Sequence, residues 1–170
     1  MEKFISETGT FVRKPLNVYF SGGTTAVMLG IRNTTIDIDL KFEPDGMQMY
    51  KAIQHLKENL NLNLNIELAS PDNFIPPLPQ WRKRSIFITQ KGKVNFLHYD
   101  LCAQIISKVQ RGWKQDVTDA EGFLKKIGDI NMLMDLFLKV KKDFIKYPAV
   151  NVNELEKKLT HFIHAANEKK

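Results

Sequence analysis

Residues Val18 to Phe42 read VYFSGGTTAVMLGIRNTTIDIDLKF, two apolar runs of different rhythm joined across a pair of glycines. Leu16 to Phe20 form a brief apolar run that stops at Ser21-Gly22-Gly23, and Thr24 to Ile31 offer Ala, Val, Met and Leu, residues suited to a helix. The pattern is strand, tight turn, helix. From Thr35 the chain alternates strictly: Ile36, Ile38, Leu40 and Phe42 fall on one face, Asp37, Asp39 and Lys41 on the other, which predicts a half-buried strand over 36–42. Successive side chains on a strand point to opposite faces, so Asp37 and Asp39 share one, about 7 Å apart at the backbone for a rise of about 3.3 Å per residue. Two carboxylates so placed can converge on a hard cation such as Mg²⁺, which is usually shared between one or two carboxylates, waters and substrate phosphates. Gly22 and Gly23 let backbone amides come close to a phosphate at a helix start, and Ser21 and Thr24 bring hydroxyl donors. Taken singly, a Gly-Gly turn and an Asp-x-Asp strand more often mean a plain turn and a solvated polar face. Their order and close spacing point to a metal-bound nucleoside triphosphate.

Working outward, Pro44-Asp45-Gly46 marks a turn, and Met49, Ile53, Leu56 and Leu60 recur at helical spacing to a predicted end near Asn61. LNLNIEL then alternates again and predicts a strand over 62–68. ASPDNFIPPLPQWRKRS carries four of the seven prolines, which suit neither a helix interior nor a central strand, and is expected as one long loop. Loops of that length are often functional, which draws attention to Trp81, Arg82, Lys83 and Arg84; an aromatic tucked against the core with solvated charges after it is the plainer reading. SIFITQ-KGK-VNFLHY predicts a hairpin with strands over 85–90 and 94–99. Helices are expected over 100–110, 118–127, 130–147 and 153–167. The last has an apolar stripe at Val152, Leu155, Leu159, Phe162, Ile163 and Ala166. The whole predicts an α/β (α+β) fold: a small mixed sheet over 1–127 with helices packed on it, and a helical extension over 128–170 in the same compact unit.

A formal net charge of +6 among 170 residues favours anionic partners, but the basic residues form no block. One cysteine, Cys102, excludes an internal disulfide, and its apolar neighbours point to packing rather than nucleophilic chemistry. No Cys/His group has zinc spacing, and none of the four histidines has a matched partner pattern. No run approaches the roughly 18 apolar residues of a membrane span, so the expectation is a cytoplasmic protein without membrane partners.

Gly22-Gly23 followed by Asp37-Ile38-Asp39 resembles the signature of the polymerase-β-like nucleotidyltransferases. GGTTAVMLGIRNTTIDIDLKF, ELASPDNFIP, HYDLCAQIISKVQRG and QDVTDAEGFL are similar to blocks of a prokaryotic branch related to abortive-infection toxin nucleotidyltransferases. The resemblance covers about Tyr19 to Leu124. It implies Mg²⁺, one or two ions, on Asp37 and Asp39, triphosphate against Ser21, Gly22, Gly23 and Thr24, Lys108 on a phosphate, and Asp116 near the site. Lys108 and Arg111 share a helix face, as do Asp116 and Asp119; an exposed salt-bridged pair of helices is the competing reading. Relatives supply a third carboxylate from a later strand, and the corresponding position here is identified as Asn95, an amide without charge. Asp100 is a substitute if the strand end curls back. The implied function is transfer of a nucleoside monophosphate from an NTP to a hydroxyl of RNA, protein or a small molecule. Asn95 leaves open a catalytically impaired nucleotide-binding module, one half of a toxin–antitoxin-like pair.

Overall fold

The computed structural model describes residues 1–59 and 65–168. Five strands form one mixed sheet: β1 (Leu16–Phe20), β2 (Asp37–Glu43), β3 (Asn65–Glu67), β4 (Ile86–Lys91) and β5 (Val94–His98), in the order β3-β2-β1-β5-β4. β1 runs antiparallel to β2 and parallel to β5, β2 is parallel to β3, and β4 and β5 form an antiparallel hairpin. Within the expected strand over 62–68, positions 65–67 pair with β2, while 62–64, like the expected helix end near Asn61, lie outside the described residues.

The alternation in β2 is the reason the sheet has two different faces. Ile38, Leu40 and Phe42 are buried with Val18, Phe20, Val94 and Phe96 beneath α1 (Glu2–Phe11) and α3 (Met47–Asn59), which add Phe4, Met49, Ala52 and Leu56. On the other face Tyr19 and Tyr99 meet α5 (Leu101–Arg111), whose residues from Leu101 to Val109 are all buried. α5 is enclosed because α6 (Lys114–Ile127), α7 (Asn131–Val140) and α8 (Val152–Glu168) cover its outer side, burying Phe123, Leu133, Phe137, Leu155 and Leu159 in the same cluster. Cys102 is buried among them, and burial pushes its thiol up to about 12, where it is inert. Among the described residues no helix is long and apolar enough to cross a membrane.

Two expectations are corrected, and one element lies where the sequence reading named none. The N-terminal residues form α1, which buries only Phe4, Thr8 and Gly9. One buried large apolar residue leaves no helical period to read. The proline-rich segment is not one open loop: Pro71–Asn73 form a 3₁₀ turn, and Trp81–Arg84 a short helix, α4. Trp81 stacks on Tyr99 at 4.3 Å between ring centres and meets Tyr19 edge-on at 5.0 Å. It is the core-packed aromatic of the plainer reading. Arg82 lies over its outer face and forms a two-pronged pair with Glu43 at 2.8 and 2.7 Å. The helix expected over 130–147 is α only to Val140; Lys141–Lys146 tighten to 3₁₀, which brings Phe144 onto Phe137 at 5.8 Å.

Candidate active site

β1 and β2 meet at the glycine turn. Beyond Phe20 the Ser21 amide donates to the Asp39 carbonyl at 3.0 Å, so the ladder continues one residue past the strand and brings the turn level with Asp39. The Ser21 hydroxyl donates to the Ala69 carbonyl at 2.7 Å, tying the turn to the chain after β3. Gly22 opens α2 (Gly22–Met28) at φ +56°, and a Cβ there would collide with Oδ2 of Asp39. Both conformation and space therefore require glycine, and the carboxylate packs on bare backbone. The Gly23 amide bonds the same carboxylate, while the Gly22 amide donates to Oε1 of Gln104 at 3.0 Å. Gln104 in turn donates to the Tyr99 carbonyl at 2.8 Å, locking α5 to the turn.

Across β2 and β3 the register pairs Asp39 with Glu67 and Asp37 with Asn65. Paired residues share a face, so Asp37, Asp39 and Glu67 lie on one side of two strands and line the same cleft. None of the three enters an ion pair among the described residues. Burial, then the charges of Asp37 and Glu67, push the Asp39 carboxyl up to about 6, against the opposing effects of the Gly23 amide and Lys108. Negative charge is thus concentrated and only partly offset, which is the condition a bound cation relieves. Among the described residues no three acidic, His or Cys side chains are gathered as a ready-made ligand set. Hard oxygens on two neighbouring strand positions fit Mg²⁺, which completes its shell with water and phosphate.

The opposite wall is one stripe of α5. Gln104, Ser107, Lys108 and Arg111 recur at i, i+3, i+4 and i+7 and line a cleft of about 410 Å³ with Ser21, Gly22, Gly23, Asp37, Asp39, Glu67 and Asp116. Lys108, only 3% exposed, donates to Asp116 at 3.0 Å and Asp119 at 2.8 Å. Arg111 donates to Asp116 at 2.6 Å, and Arg32 stands 3.6 Å from Asp119. These α5–α6 pairs are not the exposed ones of the competing reading: Asp119 is fully buried and Asp116 nearly so. The cleft therefore has an acidic wall from the sheet and, from α5, α6 and Arg32, an ion-paired wall in which Lys108, Arg111 and Arg32 meet Asp116 and Asp119.

Seven of the residues singled out in the sequence, Ser21, Gly22, Gly23, Asp37, Asp39, Lys108 and Asp116, line this cleft together. Thr24 does not: buried behind the turn, it donates to the Asp37 carbonyl at 3.0 Å and accepts from the Asp39 amide at 3.2 Å, clamping β2 to α2. Asn95 does not either. It sits level with Asn17, to whose side-chain oxygen it donates at 2.9 Å, and Asn17 is level with Glu43. Glu43 is four residues beyond Asp39, about 13 Å along the strands, and β5 is two strands away. Asp100 is also elsewhere, capping α5 through the Cys102 amide and paired with Arg84 at 2.6 Å. Glu67, absent from the sequence-based candidates, is the carboxylate that joins Asp37 and Asp39. Its signal was the single charge on the polar side of NLNIEL; what the sequence lacked was the register. Accordingly Asn95→Asp is expected to leave Mg²⁺ affinity unchanged in calorimetric titration, and a tightening would place β5 nearer the carboxylates than this register allows.

The chain belongs to a family described as nucleotidyltransferase of unknown function (DUF6036), with the match running over residues 12–167. Sheet, cleft and the helices from α2 through most of α8 fall within it, while α1 precedes it. No curated protein and no solved structure matches the chain.

Proposed function

We propose that this nucleotidyltransferase moves a nucleoside monophosphate from an NTP to a hydroxyl acceptor in a Mg²⁺-dependent reaction at the Asp37–Asp39–Glu67 face. The reading rests on one observation above all: three carboxylates on adjoining strands face Lys108 and Arg111 across a single cleft closed at its base by the glycine turn. Mg²⁺ held by Asp37 and Asp39, when bound, supplies charge neutralisation of the triphosphate and polarisation of its α-phosphorus. The chain's own groups do the rest. Lys108, and Arg111 one turn further along α5, offer the phosphates positive charge that they share with Asp116 and Asp119, and Gln104 accepts from the Gly22 amide and so fixes the turn. The acceptor oxygen bonds to the α-phosphorus, the α–β bridging bond breaks, and pyrophosphate leaves. Glu67, the most open of the three carboxylates, accepts the proton of the attacking hydroxyl. The resemblance to polymerase-β-like enzymes supports the same assignment, with RNA, a protein side chain or a small molecule as acceptor. The impaired-module reading drew its support from Asn95, which pairs with Asn17 away from the cleft and so does not bear on the carboxylates there.

The test is release of labelled pyrophosphate from each NTP with Mg²⁺ and total cellular RNA or protein as acceptor. Turnover is expected with the parent and a fall of about 100-fold or more with Glu67→Gln, for a group acting as base. Tight Mg·NTP binding without pyrophosphate from any NTP would overturn transfer and restore the binding module.

A further inference from the structure

The charged walls of the cleft account for a triphosphate but leave one lining surface without a role. Apart from Ile36, just before β2, its apolar lining comes from a single segment after β3: Ala69, Pro71 and Phe74. Phe74 is 37% exposed although Ile75 beside it is fully buried. Ile75 anchors the segment in the core, and Phe74 is left facing the cleft. There its ring lies 5.5 Å from the guanidinium of Arg111, the outermost residue of the α5 stripe.

The support beneath this ring is unusually complete. Ser70 and Asn73 form a reciprocal capping box around the 3₁₀ turn. Asp72 is paired with Lys41 of β2 at 2.6 Å, and its carbonyl accepts from the Tyr147 hydroxyl at 2.9 Å. The turn is thus held by the sheet on one side and by the segment between α7 and α8 on the other. A partly exposed aromatic ring on a fixed support loses little freedom when a flat ligand stacks on it.

We propose that Phe74 is the nucleobase platform of the cleft, stacking the base of the bound NTP on the ring face opposite the one that the Arg111 guanidinium lies over. The inference rests on the nucleotidyltransferase reading and adds to it the subsite that distinguishes a nucleotide from a bare polyphosphate. Running outward along α5, Gln104 at the glycine turn, Lys108 and Arg111 lead from the reacting phosphates to the base, over about 10 Å for seven residues of helix. Stacking on an aromatic ring tolerates any base, so Phe74 confers recognition of a nucleotide without selecting among the four.

The experiment compares calorimetric affinities for ATP, GTP, CTP and UTP with that for inorganic tripolyphosphate, all at saturating Mg²⁺. The parent is expected to bind the nucleotides about tenfold or more tighter than tripolyphosphate. Phe74→Leu, which keeps apolar volume but removes the ring face, is expected to erase that margin and leave tripolyphosphate affinity unchanged; Phe74→Tyr is expected to keep it. Two outcomes overturn the platform while leaving the transferase reading intact: a parent that binds both ligands equally, or a Phe74→Leu protein that loses affinity for both in parallel. A parent that binds neither overturns the parent reading and this one with it. Thermal melting of each variant separates loss of the ring from loss of the fold.

Discussion

Asp37→Asn combined with Asp39→Asn is expected to yield a folded protein that no longer binds Mg·NTP and is more stable than the parent at pH 8. Affinity should fall more than about 100-fold, since the variant removes the charged oxygens that a hard cation needs. The stability gain follows from the electrostatics of the unfilled site. Asp39 titrates near 6 in the folded protein against an ordinary 3.8, because burial and then Asp37 and Glu67 disfavour its charge. Between those values the folded state retains a proton that the unfolded chain has released, so stability falls as pH rises from about 4 to 6, and the penalty is complete above 6. It amounts to ~2–3 kcal/mol. Urea unfolding should therefore show the double variant more stable at pH 8 by about that amount, with the difference vanishing at pH 4, where the parent's Asp39 is protonated. Unchanged Mg·NTP affinity would remove the metal site from these residues. A loss of stability at pH 8 would contradict the crowding of negative charge.

Lys108→Met should be the most destabilising single change in the cleft, at about 3 kcal/mol or more. Lys108 and Asp119 are both withdrawn from water, and taking one charge of a buried pair leaves the other uncompensated, at a typical cost of ~3–5 kcal/mol. Asp119 would retain Gln115 at 3.0 Å and Arg32 at 3.6 Å, which places the expectation at the lower end. Lys158→Met, which breaks an exposed, solvent-screened pair with Glu154, provides the contrast with little change in stability. Replacing both members of the buried pair, Lys108→Met with Asp119→Leu, should recover most of the loss, because no charge is then stranded. Urea unfolding of the four proteins checks the series, and equal effects of Lys108→Met and Lys158→Met would show that the α5–α6 network is solvated.

Much of the fold and half of the site were legible because they depend on local periodicity. A two-residue repeat puts Asp37 and Asp39 on one face wherever β2 lies, and Gly22-Gly23 marks a turn whatever follows it. The stripe of α8 and the hairpin of β4 and β5 are read in the same way. α1 was hidden since a helix that buries one large apolar side chain has no stripe, and its Gly9 is small because Lys91 of the hairpin lies against it, a contact across some eighty residues. The segment around Trp81 read as one long loop because prolines suppress regular structure, and the rings that hold its tucked aromatic, Tyr19 and Tyr99, are distant in sequence.

The sequence alone determined the order of the strands, the polar face of β2 and the glycine turn beside it, since each is set by the spacing of neighbouring residues. Only the tertiary structure decided that Glu67 and not Asn95 lines the cleft beside Asp37 and Asp39, that Lys108 is buried, and that Phe74 faces the cleft. Those facts depend on which strand pairs with which and at what register. A shift of one residue in the pairing of β2 with β3 would send Glu67 to the other face, and the register is set by the simultaneous burial of Ile38, Leu40 and Ile66 beneath α1 and α3, a condition written in no single stretch of chain.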